Sequence, residues 1–397
     1  MQKVIRGFQD GNAMDQEWQE LYSWYKRQPQ WQYRVEELMK SGFYTRPADG
    51  LTKEVAKQLY GEHFQDSITR IERFSACAFA HFLTYGLRLR ERQIYEFQPI
   101  DLGNVCHSAL EYYSRKLKEE HLSWTEIEEE KRKEYIDDSV EHAISDYGNS
   151  VLYSSARNEY MIERMKRLLT RTIWALTKQL EAGDFVPVAY EMRFENGKID
   201  RVDLCKDKEK VYVKVLDYKT GSKAFDVVAL YHGLQLQLMV YMDAAVKMTQ
   251  KHYPDSEVIP AGVFYYRLND PLVEKKVVGE EEEIWQKVLK ELKVDGVMNL
   301  KDETLEHLDH CQAGESAVIP VKYNKNGSLS KNSKVASEQE FEVMMRHALG
   351  KVLKVHRKIL SGEVAAFPYR RKQESGCDYC AYRHICGFDQ KIPGYKY

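Results

Sequence analysis

Two apolar, β-branched stretches separated by a charged segment stand out in the middle of the chain. Residues 197–204 read GKIDRVDL and residues 211–221 read VYVKVLDYKTG. Apolar residues alternate with polar ones or run together, the patterns of half-buried and fully buried strands. The polar segment 205–210 suits a hairpin tip, and the hairpin is expected at a sheet edge. A short alternating strand is predicted over 190–194 and another over 261–266. Around these strands the apolar period becomes helical. Residues 67–190 read mostly as helices, ending in long amphipathic stretches up to Leu180. Residues 232–241 predict a helix that crosses the sheet. Residues 276–345 hold an acidic helix, the apolar run 318–321 and a polar loop over 324–334. A long helix over 338–362 leads into a cysteine-bearing tail. Residues 1–66 read as helical and rich in aromatics, with Trp18, Tyr22, Trp24 and Tyr25 in one stretch. The pattern as a whole predicts an α/β protein, a mixed sheet flanked by helices and preceded by a helical region.

Composition narrows the class. The chain has 397 residues and is 43% hydrophobic, enough for one large or two modest cores. No apolar run reaches the length of a membrane span. Asp10, Asp15 and Glu17 near the start rule out a secretory leader there. A folded, cytoplasmic protein is expected, without membrane association. The net charge of −2 does not by itself advertise nucleic-acid binding. The charge is uneven, however. Residues 126–134 and 280–283 form acidic helical faces, whereas 346–396 is basic. Arg370, Arg371 and Lys372 lie just before the last cysteines, and Arg88, Arg90 and Arg92 follow Cys77. Brought together, these groups would line a path for DNA phosphates. The P-loop spacing G-x-x-x-x-G-K-[ST] does not occur, so the chain is not expected to hydrolyse ATP by that route.

The hairpin carries candidate chemistry. It brings Asp200 near Asp217 and Lys219, and residues two apart on a strand share a face. Two carboxylates beside an ammonium make a divalent-metal site, and hard oxygen donors suit Mg²⁺ or Mn²⁺. Lys219 is placed to orient a water and to stabilise charge developing on a phosphate. Cysteine supplies a second constellation. Of the seven, Cys377, Cys380 and Cys386 form C-x2-C-x5-C. Three thiols so closely spaced point to a metal centre rather than disulfides, and a fourth ligand is needed. Spacing alone leaves zinc and an iron–sulfur cluster both open. Cys106, Cys205 and Cys311 read as free thiols.

The string GKIDRVD…VLDYKTG resembles the PD-(D/E)xK nuclease superfamily, a restriction-endonuclease-like fold, in its RecB-like branch. Neighbouring segments extend the resemblance in the family's order. Gly103–His107 is similar to the family's G-x-x-x-H element, which implies that His107 is a metal ligand. The strand around Tyr190 could bring Glu191 to the same cluster. Gln237 and Tyr241, one helical turn apart, match the Q-x-x-x-Y element, with Gln235 as a competitor for the Gln role. The segment 71–87 resembles the stretch that supplies the first cluster cysteine in AddB-type nuclease domains, with Ala78 where the family usually has Pro. The resemblance implies a [4Fe–4S] cluster on Cys77, Cys377, Cys380 and Cys386, stapling together segments on either side of the nuclease core. It further implies a metal site of His107, Asp200, Asp217 and the Tyr218 carbonyl, with Glu191 as a further ligand. Lys219, Gln237 and Tyr241 complete the catalytic set. The expected organisation is a helical region over 1–66, similar to the end of a preceding helicase-like region, and a nuclease domain over 67–397. The implied activity is Mg²⁺-dependent exonuclease action on single-stranded DNA, 5′ to 3′, in a heterodimer with a helicase subunit of AddA type, in double-strand break repair. A stand-alone iron–sulfur exonuclease of the CRISPR-associated kind and a catalytically silent DNA-binding scaffold are the alternatives. The chain departs from the family in lacking large helicase-like domains and in the short stretch between Glu191 and Gly197.

Overall fold

The computed structural model describes residues 2–10, 15–44, 50–61, 67–90, 99–146, 156–195, 197–221, 223–271, 281–392 and 395–397. Arg92 and Glu280, assigned above to charged surfaces, lie outside these residues. The chain divides into two compact units. The larger comprises His63–Ser75 and Arg90–Arg357, the smaller Met1–Glu62, Ala76–Leu89 and Lys358–Tyr397.

The larger unit is built on a six-stranded sheet in the order β1 (Val186–Phe194), β2 (Gly197–Asp207), β3 (Lys210–Lys219), β4 (Glu257–Arg267), β5 (Asp295–Asn299) and β6 (Val335–Ala336). The pairs β1–β2, β2–β3 and β4–β5 are antiparallel, and β3–β4 and β5–β6 are parallel. The sheet is therefore mixed, as expected. A parallel pair needs a crossover. Here the helices Val227–His232 and Gln237–His252 supply it between β3 and β4. Tyr212, Leu216 and Tyr218 of β3 share one buried cluster with Leu110 and Tyr113 of helix Pro99–Glu119 and with Leu169 and Ile173 of helix Ala156–Glu181. Each such side chain contributes about 1.5–3 kcal/mol by leaving water. Gly296 on β5 lies so close to β4 that a Cβ there would meet the Val263 carbonyl oxygen.

Three local expectations change. The hairpin tip is shorter than 205–210: β2 and β3 stay paired as far as Asp207 opposite Lys210. The turn is Lys208–Glu209, and Lys208 adopts a φ of 54°. Charged side chains at 206–207 do not end a strand whose backbone bonds are already made. Cys205 is consequently a buried strand residue opposite Tyr212. The hairpin is also not at a sheet edge, because β1 runs beyond 190–194 and pairs along β2, while β4 covers β3. Finally, the helix expected over 232–241 is two helices. Gly233 takes a left-handed φ of 83° and caps Val227–His232, and the next helix starts at Gln237.

The strand interiors hold a charged group that pattern reading does not register. Arg201 donates to both oxygens of Asp203, at 2.6 and 2.9 Å, and the Lys214 ammonium lies 2.9 Å from the same carboxylate. All three are buried, and the guanidinium sits 5.0 Å from the centre of the Trp124 ring.

The smaller unit combines the helices Gln2–Asp10, Gln16–Arg27, Pro29–Gly42 and Lys53–Tyr60 with the turn of helix Ala78–His81 and the 358–397 segment. Backbone bonds join its pieces: Leu51 N donates to Gly362 O at 2.8 Å, and Tyr369 N to Ala76 O at 2.9 Å. Among the described residues, no helix is long and apolar enough to cross a membrane.

Candidate active site and a cysteine-lined cavity

The hairpin register sets the site. Arg201 pairs with Leu216, so Asp200 and Asp217 fall opposite each other one step further on. The Tyr218 N–H closes the arrangement by donating to Asp200 Oδ2 at 2.7 Å. Helix Pro99–Glu119 brings His107, whose Nδ1 lies 3.4 Å from Asp200 Oδ2 and 3.9 Å from Glu191 Oε1. Donor atoms of His107, Glu191 and Asp200 lie within 4.8 Å of one another. Asp217, Tyr218, Lys219, Gln237 and Tyr241 line one cavity of about 260 Å³ with His107 and Asp200. Glu191 reaches the group through an unusual backbone: its φ is 49° in the middle of β1. A left-handed non-glycine residue inside a strand is costly and is found where surroundings over-determine it.

Lys219 Nζ lies 2.5 Å from Asp217 Oδ2 and donates to Gln237 Oε1 at 2.9 Å. Gln237 Nε2 in turn donates to Tyr241 Oη at 3.0 Å. Gln235 does something else. It accepts from Asp226 N and donates to Ala224 O, bracing the loop ahead of the helix.

The electrostatics fit a cation. Burial first, and then the Asp200 charge, push the Asp217 carboxyl up to about 7 against the pull of Lys219. Burial also raises the Glu191 carboxyl, although Lys198 pairs with it. For His107, burial opposes the charged ring, but Asp200, Asp217 and Glu191 together raise its pKa. Among the described residues, no donor besides the paired lysine reaches Asp217 Oδ2 or Glu191 Oε2. Buried carboxylate oxygens left this way are suited to a hard divalent ion.

In the smaller unit, Cys77, Cys377, Cys380 and Cys386 all line one cavity of about 290 Å³. Local backbone explains the meeting. Gly376 N donates to Tyr369 O at 3.0 Å, Tyr369 N to Ala76 O at 2.9 Å, and a Cβ at Gly376 would crowd the same Ala76 carbonyl. Thr84 Oγ1 donates to Tyr382 Oη at 3.1 Å, fixing the loop between the second and third cysteines of the tail. Burial and the other three thiols push Cys377 up to about 11, and burial also raises Cys77. Four thiols that disfavour one another's ionisation in one cavity fit a bound metal centre. The remaining cysteines, Cys106, Cys205 and Cys311, are free, as expected.

A further donor trio, Asp184, Cys205 and His307, was not anticipated. There Asp184 already bonds both imidazoles, His307 at 2.8 Å and His310 at 3.0 Å, which ties the start of β1 to the end of helix Asp302–Leu308.

A mixed sheet with two acids and a lysine at paired strand ends defines a class of metal-site hydrolase folds, and sequence comparison names it. The PD-(D/E)XK nuclease superfamily model matches residues 65–387, and the chain belongs to that superfamily. More particularly, the model for the fifth domain of ATP-dependent helicase/deoxyribonuclease AddB matches residues 2–41. Similar curated proteins are named as the B subunit of an ATP-dependent helicase/deoxyribonuclease. One from Lachnoclostridium phytofermentans is 41% identical over 96% of this chain and 34% of its own length. One from Clostridium perfringens is 33% identical over 99% of this chain and 36% of its own length. The chain thus spans about a third of the length of these relatives.

Proposed function

We propose that this chain hydrolyses phosphodiester bonds in single-stranded DNA with Mg²⁺ or Mn²⁺, as the nuclease part of an AddB-type protein. The observation that carries the reading is the convergence of His107, Asp200, Asp217 and Lys219 on one cavity in a PD-(D/E)XK superfamily member. His107, Asp200, Asp217 and the Tyr218 carbonyl would hold the ion, with Glu191 as a further ligand. The bound ion would polarise the scissile phosphate and lower the pKa of a bound water. Lys219 positions the attacking water and offsets charge on the phosphate oxygens. Gln237 holds the Lys219 ammonium, and Tyr241 holds Gln237. Residues 1–66 would be the end of a preceding region and 67–397 the nuclease domain.

The four cysteines would hold a [4Fe–4S] cluster, a structural cross-link rather than part of the hydrolysis. A single zinc ion sits about 2.3 Å from each sulfur and needs no cavity. A cavity of about 290 Å³ favours a cluster of several atoms. The relatives' names support action beside a helicase subunit on DNA, in the cytoplasm, and we extend this to 5′ to 3′ exonuclease action in double-strand break repair. The test uses single-stranded DNA labelled at either end, incubated with Mg²⁺ or with EDTA. The expected result is Mg²⁺-dependent shortening from the 5′ end. Cleavage that persists in EDTA would overturn the metal site, and shortening from the 3′ end alone would overturn the polarity.

A further inference from the structure

Glu72 lies on helix Ile68–Ala76, between the buried Ile71 and Phe74. Its side chain does not point to solvent or to the candidate metal group. Oε1 accepts two backbone N–H groups of the larger unit, Leu236 N at 2.7 Å and Gln237 N at 3.2 Å. Oε2 faces the Lys223 ammonium at 3.4 Å. Leu236 and Gln237 are the first residues of helix Gln237–His252, and Leu236 as N-cap makes no side-chain cap.

The first N–H groups of a helix have no partner within it, and the local dipole favours a carboxylate there. The preceding helix solves this locally, since Asp226 accepts from Ala229 N at 2.9 Å. A leucine has no such atom. The missing acceptor comes from a residue more than 160 positions earlier in the chain. What the cap holds is significant: Gln237 is the residue whose side chain bonds Lys219.

We propose that Glu72 is a positioning residue of the nuclease site. It pins the start of the Gln237 helix, so that Gln237 holds the Lys219 ammonium beside Asp217. The chain of contacts is Glu72 Oε1 to Gln237 N, Gln237 Oε1 to Lys219 Nζ, and Lys219 Nζ to Asp217 Oδ2, at 3.2, 2.9 and 2.5 Å. This rests on the nuclease reading above, but the cap itself does not.

The test compares Glu72→Ala and Glu72→Gln in the full chain. Glutamine keeps the carbonyl oxygen that accepts both N–H groups. Amide hydrogen exchange at Leu236 and Gln237, without metal or DNA, reads the cap directly. Both amides should exchange faster in Glu72→Ala and near the parent rate in Glu72→Gln, with β3 amides unchanged as the folding reference. In Mg²⁺-dependent cleavage, Glu72→Ala should lose about 10-fold in kcat with little change in KM, the size seen when support behind an active group is removed. Glu72→Gln should recover most of that loss. Slow exchange in Glu72→Ala, or equal loss of kcat in both variants, would overturn the proposal. A parent chain whose cleavage does not need Asp217 would overturn the nuclease reading instead, and the exchange data would still decide the cap.

Discussion

At the scale of the residue, Asp217 bears the largest consequence of its surroundings. Its carboxyl is held up to about 7, from the ordinary 3.8, by burial and by Asp200. The folded chain therefore keeps a proton that the unfolded chain has lost. Folding stability without metal falls as pH rises from 3.8 towards about 7. Asp217→Asn removes this penalty. Its melting temperature at pH 8, metal-free, should exceed the parent's by roughly 3 °C or more. Added Mg²⁺ should stabilise the parent but not the variant. The same proton competes with the ion. At sub-saturating Mg²⁺, cleavage should rise with pH through about 7, and saturating Mg²⁺ should move the midpoint to lower pH; a midpoint that ignores Mg²⁺ would contradict this. Asp217→Ala and Lys219→Ala should each reduce cleavage by about 100-fold or more. Metal affinity should survive only in the lysine variant, measured by calorimetric titration.

The hairpin is the element that carries the site, and the buried Arg201–Asp203–Lys214 group is what stiffens it. Burial works against the Asp203 charge, but Arg201 and Lys214 hold its carboxyl below the ordinary range. The stabilising effect is thus complete above the unfolded carboxylate value and is lost as pH falls through the folded one. Asp203→Ala leaves two buried cations facing each other. It should cost about 3–5 kcal/mol in urea unfolding, far more than removing an exposed pair such as Lys40 and Glu37. A loss below about 1 kcal/mol would show that water reaches these charges, since only solvated pairs are worth so little.

For the whole molecule, the cysteine-lined cavity sets the prediction. Cys77 and Cys377 lie 300 positions apart in the chain, 377 − 77, so a cluster between them closes a very long loop. Cys77→Ser and Cys386→Ser should give one outcome. Iron content, about four per chain in protein purified without air, should fall away, and proteolysis should become easy near residues 76–89 and 358–397. Cys106→Ala and Cys311→Ala should leave iron unchanged. Colourless protein with stoichiometric zinc would keep the cross-link and reject the cluster. The chain carries no P-loop spacing, and purified chain should show no ATP turnover.

The sequence by itself determined the chemistry that travels with short segments. Asp217 and Lys219 share a strand face, Gln237 and Tyr241 share a helix turn, and three cysteines share a tail. Such relations follow from periods of 2 and 3.6 and need no knowledge of the fold. Tertiary structure decided the rest. Pairing on both sides of β2 and β3 buries Asp217, and only that burial lifts its pKa. The left-handed backbone at Glu191 depends on how β1 lies along β2, and no local residue signals it. Arg201, Asp203 and Lys214 read as polar positions of alternating strands until helices close over them. Glu72 reads as one charge on a short helix until the Gln237 helix ends against it. In each case the deciding partner is far away in sequence, and desolvation and long-range hydrogen bonds exist only once the chain has brought it there.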